Sequence, residues 1–218
     1  MRDEDFDLFI EEMGEPTYHE EVPRELIERY RGVLPDKLLE YWRDEGWCGY
    51  GHGRLWFVNP DAYADIVRMW LEGTVFEQID RYHAILRTGF GALFVWGESN
   101  NQPFVIDCPC HSIVAEESRL RRRDEDAEFA LQVFIGSLDD EDVEIEDPDG
   151  QPLFERARRA LGELGPDELY GFEPALVMGG KARLENLQRM KAHQHLMILR
   201  EFAAPSVPFS GVNLDYQE

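Results

Sequence analysis

The chain has 218 residues, with 45 acids against 22 bases and a formal net charge of −23. Its 43% hydrophobic content, with 5 Trp, 8 Tyr and 13 Phe, is enough for a folded core and argues against disorder. The negative charge opposes nucleic acid and anionic membranes as direct ligands and favours a basic partner. The opening MRDEDFDLFIEEMGEP lacks the basic-then-apolar build of a signal peptide, and no run approaches the roughly 18 apolar residues of a membrane span. Three cysteines, Cys48, Cys108 and Cys110, do not make a disulfide framework. The expected compartment is the cytoplasm.

In chain order, Leu26, Ile27 and Tyr30 mark one helix closed by Gly32, and Leu38, Leu39, Tyr41 and Trp42 mark a second, with Pro35 at its start and Gly46 at its stop. RLWFV (54–58) reads as a strand. Asn59-Pro60 then opens a helix carrying Tyr63, Ile66, Val67, Trp70 and Leu71. HAILRTGFGALFVWGE (83–98) reads as two strands broken at Gly89 and Gly91, followed by strands in PFVIDC and HSIVA. A helix follows over 124–136, with Phe129, Val133 and Phe134 as its apolar side. The segment 137–149 holds eight acids and no base, and the domain junction is placed at its end. Beyond it, PLFERARRALGEL and HLMILREF read as helices, and Leu184, Leu187 and Met190 fit either strand or helix. Pro205, Pro208 and Gly211 make the tail irregular. The expected fold is α+β: a small antiparallel sheet packed with helices in 1–149, then a smaller, mainly helical α/β domain in 150–218.

The charge is lopsided. Residues 1–149 hold 36 acids and 14 bases, whereas residues 150–202 hold 7 acids and 8 bases. The acidic string of Asp139, Asp140, Glu141, Asp142, Glu144, Glu146, Asp147 and Asp149 has two functional readings besides that of a solvated linker. It lacks the ligand order of an EF-hand, which disfavours calcium. It can also present carboxylates to Arg and Lys side chains, as a phosphate backbone does.

Other chemistry is thin. Cys108-Pro-Cys110-His111, completed by Cys48 and His52, offers zinc ligands in the wrong spacing and without a second pair, so no metal is expected. His193 and His195 lack the i, i+4 spacing of helical metal ligands. Asp107 with His111, or His83, would serve a hydrolase, but no nucleophile motif accompanies them. No catalytic residue and no cofactor is expected.

The residues LPDKLLEYWRDEGW (34–47), GYGHGRLWFVNPDAY (49–63) and GFGALFVWGE (89–98) resemble the GAD-related domain. ALGELGPDELYGFEPALVMGG (160–180) and HLMIL (195–199) resemble the domain that follows it in type VI secretion immunity proteins; LYGFEPAL…GG is the more specific motif. The resemblance implies an immunity protein that neutralises a cognate DNase toxin and carries no catalytic residues. It does not fix the interface. Aromatic anchors are expected beside the carboxylates, and Trp47, Tyr50 and Trp56, in or beside the glycine-rich 46–53 segment, are the candidates, together with Asp139, Asp140, Glu141, Asp142, Glu144 and Glu146. Immunity to a non-nuclease toxin and an uncharacterised hydrolase stand as the alternatives.

Overall fold

The computed structural model describes residues 2–115 and 126–207. The start of the expected 124–136 helix and the turn formers Pro208 and Gly211 lie outside the described residues.

Among the described residues, seven strands form one antiparallel sheet in sequence order. They are β1 (Tyr18–Glu20), β2 (Trp47–Tyr50), β3 (Leu55–Phe57), β4 (Tyr82–Thr88), β5 (Leu93–Gly97), β6 (Pro103–Asp107) and β7 (Ser112–Val114). Successive strand side chains point to opposite faces. In β5, Leu93 and Val95 enter one core while Phe94 and Trp96 enter the other. Both faces are covered, so the central strands read as unbroken apolar runs. In β4 the register shifts between Ala84 and Leu86. This irregularity turns Ile85 and Leu86 to the same face.

Helices α1 (Glu4–Met13), α2 (Arg24–Tyr30) and α3 (Asp36–Asp44) cover one face. The opening segment, read above only for targeting, folds as α1 because Phe6, Phe9 and Met13 line one side of a turn-spaced stripe. The Asp3 carboxylate accepts from Phe6 N at 3.0 Å and caps the helix. The opposite face carries α4 (Pro60–Leu71), whose side chain cap is Asn59, and a short α5 (Phe76–Ile79).

After β7 come α6 (Ala127–Gly136) and a one-turn α7 (Asp140–Val143). The apolar side expected for the 124–136 helix is corrected. Leu131 and Ile135 are the buried residues and Phe134 packs on Phe94 as read, with ring centroids 5.6 Å apart, while Phe129 and Val133 are 67% and 47% exposed. The helix packs on α1 with Gly136 against Asp5, which rotates the contact face away from the one the sequence favoured.

The last part comprises α8 (Phe154–Leu161), a hairpin of β8 (Glu168–Phe172) and β9 (Leu187–Lys191), and α9 (Ala192–Phe202). Its apolar side chains enter the same core cluster as α4 and the sheet. Three polar ties accompany this packing. Trp70 Nε1 donates to Leu196 O at 3.0 Å, and Arg87 Nη2 donates to Pro166 O at 3.0 Å. Arg200 of α9 donates to Met69 O and Glu72 O, satisfying carbonyls at the C-terminal end of α4.

Candidate partner-binding surface

The acidic string is an ordered structure whose carboxylates are mostly committed. Asp139 and Asp142 form a reciprocal capping box on α7. Asp140 pairs with Arg54 of the β2–β3 turn. Glu144 Oε1 accepts from Leu153 N at 3.0 Å and Phe154 N at 2.9 Å, capping the start of α8. Asp147 pairs with Arg156 at 2.6 Å, and that bond holds its carboxyl below the usual range. Asp142 moves the opposite way, raised by burial. Glu141, Glu146 and Asp149 are exposed, and among the described residues no side-chain partner is found for them. Acidity placed this string in the sequence reading, yet caps and ion pairs occupy five of its eight carboxylates.

The aromatic candidates are walls and core, not projecting anchors. Tyr50 is fully buried, its ring 4.9 Å from that of Phe9 and 6.0 Å from that of Phe57. Trp56 is 2% exposed; its Nε1 donates to Gly53 O at 2.8 Å, and its ring lies 5.6 Å from Tyr18. Trp47 is 9% exposed and packs edge-on against Trp42. Gly49, the cross-strand partner of Trp56, admits that ring: a Cβ there would lie 2.7 Å from it. The glycines thus accommodate a packed tryptophan and do not signal an exposed loop.

Trp47 and Trp56 line an open cleft that the sequence reading missed. It has two lobes over the start of α4. One, of about 590 Å³, is walled by Tyr18, Trp47, Trp56 and Tyr63, with Asp167 and Lys191 from the last part of the chain. The other, of about 670 Å³, is lined by Tyr30, Asp61, Asp65, Glu77 and Asp80, with Arg68, Arg81 and His83. Ala62 and His193 belong to both. The acidic lobe is rigidly built. Asp61 accepts from Tyr30 Oη at 2.7 Å and pairs with Arg29 at 2.5 Å. Asp80 Oδ2 accepts from Ser99 N and Asn100 N, Glu77 from Gly73 N, and His193 lies 3.1 Å from Asp65. Burial and the Asp61 bond raise the Tyr30 hydroxyl. No local motif could reveal this cleft, because its walls come from strands, helices and turns far apart in the chain.

The remaining titratable candidates are dispersed. His83 Nε2 meets Glu98 Oε1 at 2.7 Å at the rim of the acidic lobe. Asp107 Oδ1 accepts from Cys110 N at 3.2 Å, and burial raises its carboxyl. His111 Nε2 meets Leu199 O at 2.6 Å, facing α9. Cys48 lies in the core on the opposite face of the sheet from Cys108, and burial pushes its thiol up to about 11. Burial likewise pushes Cys110 up to about 12. Cys48 Sγ donates to Glu45 O at 2.9 Å. Among the described residues no group of three or more His, Cys, Asp or Glu side chains is placed to hold a metal ion. No helix among them is long and apolar enough to cross a membrane.

Residues 4–110 match the family model of the GAD-like domain, and residues 128–203 match that of the type VI secretion system immunity protein Tdi1, C-terminal domain. No curated protein matches the sequence. Among solved structures, the crystal structure of Atu4351 from Agrobacterium tumefaciens superposes with a TM-score of 0.83 at 23% identity, over 93% of this chain and 91% of that one. At that identity the likeness shows a shared fold.

Proposed function

Because the chain belongs to the type VI secretion immunity proteins that join a GAD-like domain to the Tdi1-type C-terminal domain, we propose that it binds a secreted DNase toxin and covers the groove that holds DNA. It acts in the cytoplasm, where an incoming nuclease meets the chromosome. One observation supports the nuclease reading: the acids outnumber the bases 36 to 14 in residues 1–149, and the exposed Glu141, Glu146 and Asp149 leave carboxylates available to a partner. A nuclease must line its substrate groove with Lys and Arg, since phosphate contacts dominate nucleic-acid affinity. Carboxylates offered to that groove form charge-assisted hydrogen bonds with the same side chains. The chain needs no chemistry of its own for this.

The test is titration of the purified protein into a DNA-cleavage assay of its cognate toxin. Stoichiometric inhibition is expected. Association should slow as ionic strength rises from about 0.05 to 0.5 M, where the Debye length shrinks from about 14 to about 4 Å. The triple variant Glu141→Gln, Glu146→Gln, Asp149→Asn should associate several-fold more slowly at low salt with an unchanged melting temperature. These three are chosen because replacing Asp139, Asp142 or Glu144 would also remove helix caps. A toxin without nuclease activity, or an association rate indifferent both to salt and to the three substitutions, would overturn this reading.

A further inference from the structure

We propose that the two-lobed cleft over the start of α4 seats an extended segment of the toxin, with an arginine or lysine entering the acidic lobe and a neighbouring apolar side chain entering the aromatic lobe. This rests on the immunity reading above and goes beyond it by naming the receiving site and the chemistry of what it receives.

Three observations carry it. First, the lobes, of about 670 and 590 Å³, join at Ala62, the smallest side chain that α4 could place there short of glycine. Ala62 leaves only a methyl group on the α4 side of the saddle, and the exposed His193, 3.1 Å from Asp65, forms its other side. Second, the charge is matched to a cation. Asp61, Asp65, Glu77 and Asp80 face Arg68 and Arg81, and Arg29 pairs with Asp61 from outside the lobe, which leaves an excess of one carboxylate. Hydrogen bonds from Tyr30 and from the backbone N–H groups of Gly73, Ser99 and Asn100 hold three of these carboxylates in place. Fixed acceptors of this kind lose little freedom when a guanidinium arrives. Third, the other lobe is walled by rings, with the half-buried Tyr18 tilted on Trp56 and the nearly buried Trp47 and Tyr63 beside them. A socket of aromatic walls next to an acidic pocket is what a basic, apolar-flanked segment fills.

The cleft also gives the last part of the chain a role in binding. Asp167, Lys191 and His193 close its far side, and His193 reaches Asp65 across the saddle. The aromatic lobe therefore has its full walls only when β8, β9 and α9 are docked on the sheet.

The experiment fills the cleft without disturbing the fold. Ala62 and Ala64 are exposed on the first turns of α4, so Ala62→Trp and Ala64→Arg replace no contact of the core. Ala160→Trp, at an exposed position on α8, is the control for bulk alone. Each variant is checked for an unchanged melting temperature and titrated into the nuclease assay. Ala62→Trp and Ala64→Arg should each weaken inhibition at least 30-fold, about 2 kcal/mol at 1.4 kcal/mol per tenfold, and Ala160→Trp should not. Tiled 15-residue peptides of the toxin should include one that binds the parent but not Ala62→Trp. Replacing that peptide's Arg or Lys by Ala in the intact toxin should cost as much as Ala62→Trp, and the two changes together should cost no more than either. Parent-like inhibition by both cleft variants, equal weakening by Ala160→Trp, or a binding peptide indifferent to loss of its basic residue would each overturn the cleft assignment. Failure of the parent protein itself to inhibit the nuclease would instead bring down the immunity reading on which it rests.

Discussion

The sheet region and the last part of the chain bury apolar side chains in different ways. Residues 2–115 form a sheet with a core on each face, whereas the hairpin and helices of residues 154–202 contribute to one shared core only. In β8 four of five residues are buried, but in β9 only Leu187 is. A two-stranded hairpin is marginal in water by itself. Leu169, Tyr170, Leu196 and Leu199 are buried because Trp70, Phe90 and the sheet lie beneath them. One continuous apolar core thus joins the residues on either side of the boundary placed at residue 149.

The largest expected effect breaks that continuity. Phe154 is fully buried, with its ring 5.9 Å from Phe90 and 5.5 Å from Tyr170. Phe154→Ala should destabilise the whole chain by about 3–5 kcal/mol, read as one cooperative shift in urea unfolding. Two transitions, with only the second displaced, would mean that the two regions unfold independently. A smaller effect is expected at Gly89, where a Cβ would lie 2.4 Å from the Phe154 ring and 2.8 Å from Gly53 O. Gly89→Ala should cost about 1–3 kcal/mol through overpacking. No loss of stability would show that the contact relaxes freely.

The smallest effect concerns pH and belongs to the last part of the chain. His195 lies over Gly171, and burial pushes its pKa down to about 4, against about 6.5 in an unfolded chain. As pH falls, the unfolded state takes up the proton first. The stability linked to this group is therefore present above about pH 6.5 and is lost as pH falls toward 4. Asp107 acts in the opposite sense, since burial raises its carboxyl and protonation favours the folded chain. The readout is thus the difference between parent and His195→Leu, which should lack the histidine's share of the slope. Parallel stability curves for the two proteins between pH 4 and 7 would refute this.

Much of the architecture was legible because period and punctuation agree. Leu38, Leu39, Tyr41 and Trp42 place α3, and Asn59-Pro60 starts α4 as read, with Asn59 accepting from Asp61 N at 3.0 Å. The aromatic and β-branched runs place β3 to β7. Other elements were not legible, for local reasons. The segment Trp47–Tyr50 contains a glycine that reads as a breaker until Trp56 is set opposite it. α7 has one apolar residue in four, Val143, too few for a periodicity to show.

The sequence by itself determined the α+β class, most of the sheet, the acidic bias of the first two-thirds and the two-part organisation that the family models match. These follow from side-chain period and composition, which are local properties. Only the tertiary structure decided which carboxylates cap helices, which tryptophans are walls, and that residues 18, 56, 62, 167 and 193 share one cleft. Those outcomes depend on how two sheet faces and a docked hairpin meet, and no spacing along the chain encodes a distance across it.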